Sequence, residues 1–305
     1  MLRSMVKRRR RRSHLFATLA LAALCAPEIR AAGDEVALRP GYRAGDRYAL
    51  QLATKTNTRV DARGAASNAF KEDVELRYSA QVEVLETDAA GAPLRERHEN
   101  VDFTSVRPDG TKSLFTPGAT FELARRSDGT VQITFHGERV SAKIEQVVGD
   151  LLAHQSEYAI AALLDPGRPV AVGERWDLAP EHVQGFLHTR GIQSAKLDGA
   201  ATAKLEPGEG GRLAIRYRIP IKKFVLPDLP AGTTHTESEG SLQGEVQLDG
   251  QGLHRALAHS SSLELEIAGA IHQPGTARTT AWTLARSQSV DQHTETLKDQ
   301  LATSR

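Results

Sequence analysis

The chain has 305 residues, 39 Lys and Arg against 38 Asp and Glu, and a single cysteine. One cysteine excludes an internal disulfide framework and any multi-cysteine metal site, so the fold has to stand on its apolar core. The first 31 residues hold eight of the cations and one of the anions, which turns an overall charge of +1 into −6 for the remainder. That remainder has no dense basic cluster of the kind phosphate neutralisation requires, so nucleic acid is not an expected partner.

The basic run Lys7 to Arg12 is followed by an apolar stretch, Leu15 to Ala26, and then by the small residues Ala31, Ala32 and Gly33. About a dozen apolar residues are too few to cross roughly 30 Å of hydrocarbon as a helix. Basic, apolar and small in that order describe an export signal peptide over residues 1–32, cleaved after Ala31 or Ala32. The expected location is periplasmic or extracellular, with no transmembrane span once the signal is removed. Paired arginines before Ser13 hint at twin-arginine export, but His14 stands where that motif has Phe. Cys25 lies inside the signal and is preceded by Leu24, whereas a lipoprotein signal has a small residue there.

From residue 33 to 140 the pattern has a period of two. Val74, Leu76, Tyr78, Ala80, Val82 and Val84 share one parity, as the buried face of a strand does. Asp-Gly pairs at Asp109 and Asp128 mark tight turns, and Phe121 to Phe135 reads as a hairpin. Between 141 and 165 the period lengthens. Ile144, Val147, Val148, Leu151, Leu152, Ala159, Ala162 and Leu163 fall on one helical stripe, with Ser141 as N-cap, a bend at His154 to Ser156 and a stop at Asp165-Pro166-Gly167. Few cations flank the stripe, so packing on a sheet is favoured over membrane binding.

Residues 166–292 return to period two, and 293–305 form a tail. Leu213, Ile215, Tyr217, Ile219 and Ile221 share a parity, and so do Leu253, Leu257, Leu263, Leu265 and Ile267. Pro220 has no N–H to donate, which predicts a sheet edge or a bulge. Short turns between many strands predict a mainly β protein, an antiparallel curved sheet or sandwich with one interior helical segment.

Two phrases suggest related halves. "GDRYAL" begins at Gly45 and "GERWDL" at Gly173, each before a strand that would bury an aromatic and a leucine on one face. Ala80 to Phe103 is loosely echoed by Ala201 to Phe224. Turn-to-strand phrases also recur by chance in β proteins.

"RPVAVGERW", Arg168 to Trp176, and "YRAGDRYAL", Tyr42 to Leu50, resemble exported bacterial β-rich proteins that carry a P-V-x-V-G-[DE]-x-W phrase. The resemblance implies a β fold and an envelope location and supplies no catalytic residues. The architecture is more distantly similar to periplasmic lipoprotein carriers, whose curved sheet is plugged by helices.

The sequence has no G-x-S-x-G, H-E-x-x-H, P-loop or G-x-G-x-x-G after a strand. Neither the His182/His188 pair nor the His254/His259 pair has a third metal ligand nearby in sequence, and His235 shares its strand only with Glu237 and Glu239. These acids read as the wet face of a strand. The expected function is therefore non-enzymatic, with no cofactor and no metal. Tyr78, Leu151, Leu152, Tyr158 and Trp176 are the candidates to line an apolar cleft for a small molecule or lipid, against the simpler reading that they fill a dry core. A protein-interaction module of the cell envelope and an unfamiliar hydrolase are the alternatives.

Overall fold

The computed structural model describes residues 35–38, 41–62, 70–89, 91–125, 131–155, 157–226, 233–248, 256–272 and 279–297. Residues 1–32, expected from the sequence to be an export signal, and the residues after 297 lie outside this set. The first half contains β1 (Glu35–Val36), β2 (Arg47–Ala62), β3 (Phe70–Thr87), β4 (Pro93–Arg107), β5 (Gly110–Ser113), β6 (Ala119–Arg125), β7 (Val131–Phe135) and β8 (Glu138–Arg139). Helices α1 (Ala142–Gln155) and α2 (Glu157–Leu164) follow. The second half contains β9 (Val170–Ala171), β10 (Arg175–Asp177), helix α3 (Pro180–Thr189), β11 (Ser194–Leu197), β12 (Thr202–Pro207), β13 (Leu213–Val225), β14 (Thr233–Leu248), β15 (Ala256–His272) and β16 (Thr279–Thr296).

Among the described residues, fourteen strands form one antiparallel, open, curved sheet. Its order is β10-β12-β13-β14-β15-β16-β2-β3-β4-β6-β7-β8, with β11 beside β13 and β5 beside β4. The halves are joined where β16 pairs with β2, from Trp282 opposite Ala62 to Thr296 opposite Tyr48. A small second sheet crosses between them, since β1 pairs with β9. None of the described helices is long and apolar enough to cross a membrane.

Alternation along each strand sorts the residues between two faces. The outer face is a lattice of cross-strand ion pairs, among them Arg97 with Glu83 and Glu122, Arg47 with Glu99, and Arg216 with Glu206 and Glu245. The inner face holds two apolar cores. The first gathers Tyr48, Leu50, Val84, Phe103, Phe121 and Leu123 beneath Val148, Leu151 and Leu152 of α1. The second gathers Trp176, Leu205, Ile215, Ile219, Leu265 and Trp282 beneath α2 and α3. The single helical stripe expected from sequence is thus divided. It forms two helices, α1 ending at Gln155 and α2 beginning at Glu157, and the two serve different cores; Ser156, within the expected bend, lies outside the described residues.

Helix α3 was not expected. Its signal lies in the sequence: Pro180 at the start, then Val183, Phe186 and Leu187 at helical spacing, all three buried. Pro220 is neither on an edge strand nor unaccommodated. Strand β13 is interior, but β12 pairs with it only as far as Arg218 and β11 begins again at Ile221. Pro220 sits in the gap between those two neighbours, where no N–H is wanted, and its carbonyl accepts from Asp198 at 3.1 Å.

The two phrases build the same local structure. Gly45 and Gly173 both have φ of 92°, a conformation that costs glycine nothing. Gly45 N–H donates to the Val84 carbonyl and receives the reciprocal strand bond through Asp46; Gly173 and Glu174 do the same with Leu205. The acid in each phrase accepts a backbone N–H three residues earlier, Asp46 from Arg43 at 2.8 Å and Glu174 from Ala171 at 2.9 Å. Each aromatic then enters its own core. Tyr48 donates to Glu96 at 2.7 Å, and the Trp176 indole donates to the Leu164 carbonyl at the end of α2, at 3.2 Å.

Trp176→Ala and Tyr48→Ala should each cost about 3–5 kcal/mol, the range for a buried large aromatic. Urea unfolding midpoints check this, and midpoints that hardly move would show that neither aromatic anchors its core.

Candidate ligand-binding seam

The two cores do not meet in a continuous apolar layer. Between them, the inner face of the central strands is polar. Strand β2 contributes Thr54, Thr56 and Thr58, and β16 contributes Arg286, Gln288 and Gln292. Strand β15 adds His259 and Ser261. Register aligns these residues into rows across the sheet: Ser261, Val290 and Thr54 in one, Leu263, Gln288 and Thr56 in the next. His259, Ser261, Gln292 and Thr54 are buried. Thr56 and Gln288 are half-buried and lie between the buried Thr54 and Thr58, so the seam is partly exposed at that row. The buried Gln288 side-chain carbonyl has no hydrogen-bond donor.

Arg190, immediately after α3, reaches this seam. Its Nη2 donates to the Ser261 hydroxyl at 3.1 Å, and its guanidinium carbon lies 5.0 Å from the centre of the Phe186 ring. Next to it the Tyr217 hydroxyl and His259 Nε2 share a hydrogen bond of 2.9 Å. Tyr217 reaches His259 by lying across β14 at Gly244, where a Cβ would come within 2.5 Å of the tyrosine oxygen and 2.6 Å of the Ser260 carbonyl. Burial pushes the Tyr217 phenol up to about 12 and pushes the Arg190 guanidinium down. The phenol is therefore a neutral hydrogen-bonding group at physiological pH.

The first core has a comparable polar cluster with one more member. Tyr78 and His98 Nδ1 share a hydrogen bond of 2.7 Å, and His98 stacks on Phe121 with ring centres 5.0 Å apart. Glu96 is 2 % exposed and accepts from both Tyr48 and Arg125, the latter at 3.4 Å. Burial pushes the His98 imidazole down to about 4 and outweighs the Glu96 carboxylate 4.0 Å from its Nε2. His98 is therefore neutral near pH 7, and the charge partner of Glu96 is Arg125.

Of the five residues expected to line a cleft, Tyr78, Leu151 and Leu152 come together in the first core and are 2 %, 1 % and 0 % exposed. Trp176 lies in the second core at 6 % exposure. Tyr158 falls within α2, and its side chain lies outside the described residues, as do those of His235 and Glu237. The five are thus not one surface. A shallow trough of about 570 Å³ crosses the outer face of β16, β2, β3 and β4, lined by Gln51, Arg77, Ser79, Asp102, Asp291 and His293 among others. Tyr78 borders this trough as well, although its ring belongs to the inward parity. The seam residues Arg190, Ser261 and Gln288 were missed. Among the described residues, no three His, Cys, Asp or Glu side chains gather as a metal ion would require.

No family model matches the sequence, and no curated protein matches it. Among solved structures the chain is similar to lipovitellin, in a structure concerned with its lipid–protein interactions, at a TM-score of 0.36 and 10 % identity. That match covers 87 % of this chain and 26 % of lipovitellin, so the chain spans about a quarter of that protein's length. It is also similar to DynF, from the dynemicin biosynthesis pathway of Micromonospora chersina, at a TM-score of 0.22 and 8 % identity, over 92 % of this chain and 94 % of that one. Scores this low fall short of a shared fold.

The His98 environment predicts an acid-labile first core. An imidazole whose folded pKa lies below the unfolded value of about 6.5 binds fewer protons when folded, so stability present above pH 6.5 is lost as pH falls toward 4. The contribution is about 3 kcal/mol for a shift to about 4. His98→Gln should flatten the fall in urea midpoint between pH 7 and pH 4; an unchanged fall would show that His98 does not titrate in this way.

Proposed function

We propose that the protein is exported and binds an apolar small molecule or lipid on the helix-covered face of its sheet, without catalysing a reaction. The observation that supports this reading is the polar seam. The flanks of the inner face carry leucine, isoleucine and valine, as a face serving only as core would throughout. The middle instead offers hydroxyl and amide groups, buried at Thr54 and Thr58 and half-buried at Thr56 and Gln288 between them. A ligand site is mostly apolar with a few placed polar groups, and apolar cores on either side of such a path meet that description. Export rests on the order of basic, apolar and small residues over 1–32.

Residues 1–40 fused to a reporter that works only outside the cytoplasm should give activity, and Leu19→Arg with Leu21→Arg should abolish it. Equal export by both fusions would sink the signal reading.

An uncharged dye that fluoresces in apolar surroundings should bind the folded protein saturably. Thr56→Trp, which fills the partly exposed row of the seam, should weaken that binding at least severalfold while the unfolding midpoint stays near that of the parent. Absence of saturable binding, or an unaltered titration with the tryptophan variant, would overturn the binding site.

A further inference from the structure

Each inner core buries one hydrogen-bonded Tyr–His pair beside one arginine. In the first core these are Tyr78, His98 and Arg125, and the arginine has a carboxylate, Glu96. In the second core they are Tyr217, His259 and Arg190, and among the described residues no carboxylate pairs with them. Arg190 is 5 % exposed, and among the described residues its one side-chain hydrogen bond, to Ser261, leaves Nε and Nη1 with donors and no acceptor. Among the described residues no acid forms an ion pair with it. Phe186 covers one face of the guanidinium and can favour the charge but cannot accept its remaining N–H groups in their own plane. Buried cations are ordinarily paired and hydrogen-bonded, because their lost hydration is otherwise uncompensated.

The geometry points to Arg190 as the anchor for the carboxylate of a single-chain amphiphile, with Ser261 and the Tyr217–His259 pair beside it. The carboxylate takes the place that Glu96 holds in the first core. Planar guanidinium and planar carboxylate meet through two parallel hydrogen bonds, which fixes the head of the ligand. From Arg190 the row of Ser261 and Thr54 leads to the row of Gln288 and Thr56, where the seam is partly exposed, and the apolar chain lies along that line against Leu263 and Val290. This assignment rests on the proposal that an apolar ligand binds the inner face, and adds which chemical class it belongs to and which residue selects it.

Isothermal titration of the folded, signal-free protein with laurate, dodecanol and dodecyl phosphate tests it. The three share a chain and differ in the head. Laurate should bind the parent protein roughly tenfold or more tightly than dodecanol, the scale of a charge-assisted hydrogen bond. Arg190→Met should abolish the preference, so that laurate and dodecanol bind this variant with equal affinity. Arg190→Lys should retain part of the preference. Equal binding of laurate and dodecanol by the parent protein would overturn the anchor while the apolar site stands, and this comparison needs no variant to fold. Tighter binding of dodecyl phosphate than of laurate would overturn the carboxylate. Binding of none of the three would sink both the anchor and the apolar site.

Discussion

The pairing of β16 with β2 is the contact on which the rest of the architecture depends. These strands lie far apart in sequence, yet they run antiparallel from Trp282 opposite Ala62 to Thr296 opposite Tyr48. Without that ladder each half would present a long unpaired strand edge to water, a hazard natural sheets avoid. With it, both halves share one sheet and the central strands have neighbours on either side. Because the ladder closes a very large loop, it is also a contact that local structure cannot form early.

The position of the polar seam follows from this construction. Helices cover the two flanks of the inner face, α1 over the first core and α2 with α3 over the second. The strands that join the halves lie between those covers. Midway along them the inward residues include Thr54, Thr56, Thr58, Gln288 and Gln292, whose hydroxyl and amide groups are costly in a dry core unless paired. The seam therefore divides what would otherwise be one apolar layer and leaves hydrogen-bonding groups along the line of division.

The two halves solve the same entry problem identically and then diverge. Gly45 and Gly173 turn with the same φ, exchange the same strand bonds, and are followed by acids that accept the same backbone N–H. Beyond that point Tyr48 turns its hydroxyl to Glu96, whereas Trp176 ties down the end of α2. The buried clusters differ in the same sense. Arg125 has Glu96, and Arg190 has Ser261 and an aromatic ring. The first cluster sets a carboxylate against its arginine, although His98 Nε2 and Arg125 Nε have no hydrogen-bond partner; the second leaves both Nε and Nη1 of Arg190 without an acceptor and has no ion-paired acid among the described residues.

What the sequence by itself determined is the parity of the strands, the turns between them and the shared phrase. A strand's two faces are set by a period of two along a few residues, and tight turns by the conformational freedom of glycine beside Asp. The helical stripe was legible for the same local reason. Helix α3 was within reach, through Pro180 and the spacing of Val183, Phe186 and Leu187. Only the tertiary structure decided which strands are neighbours, that the stripe serves two cores, and that Tyr78 and Trp176 belong to different ones. Arg190 and Ser261 lie 71 residues apart and carry no motif. An arginine after a helix is ordinarily solvated, and this one is buried where it meets Ser261 of β15 and the Phe186 ring, a meeting that no stretch of sequence around residue 190 encodes.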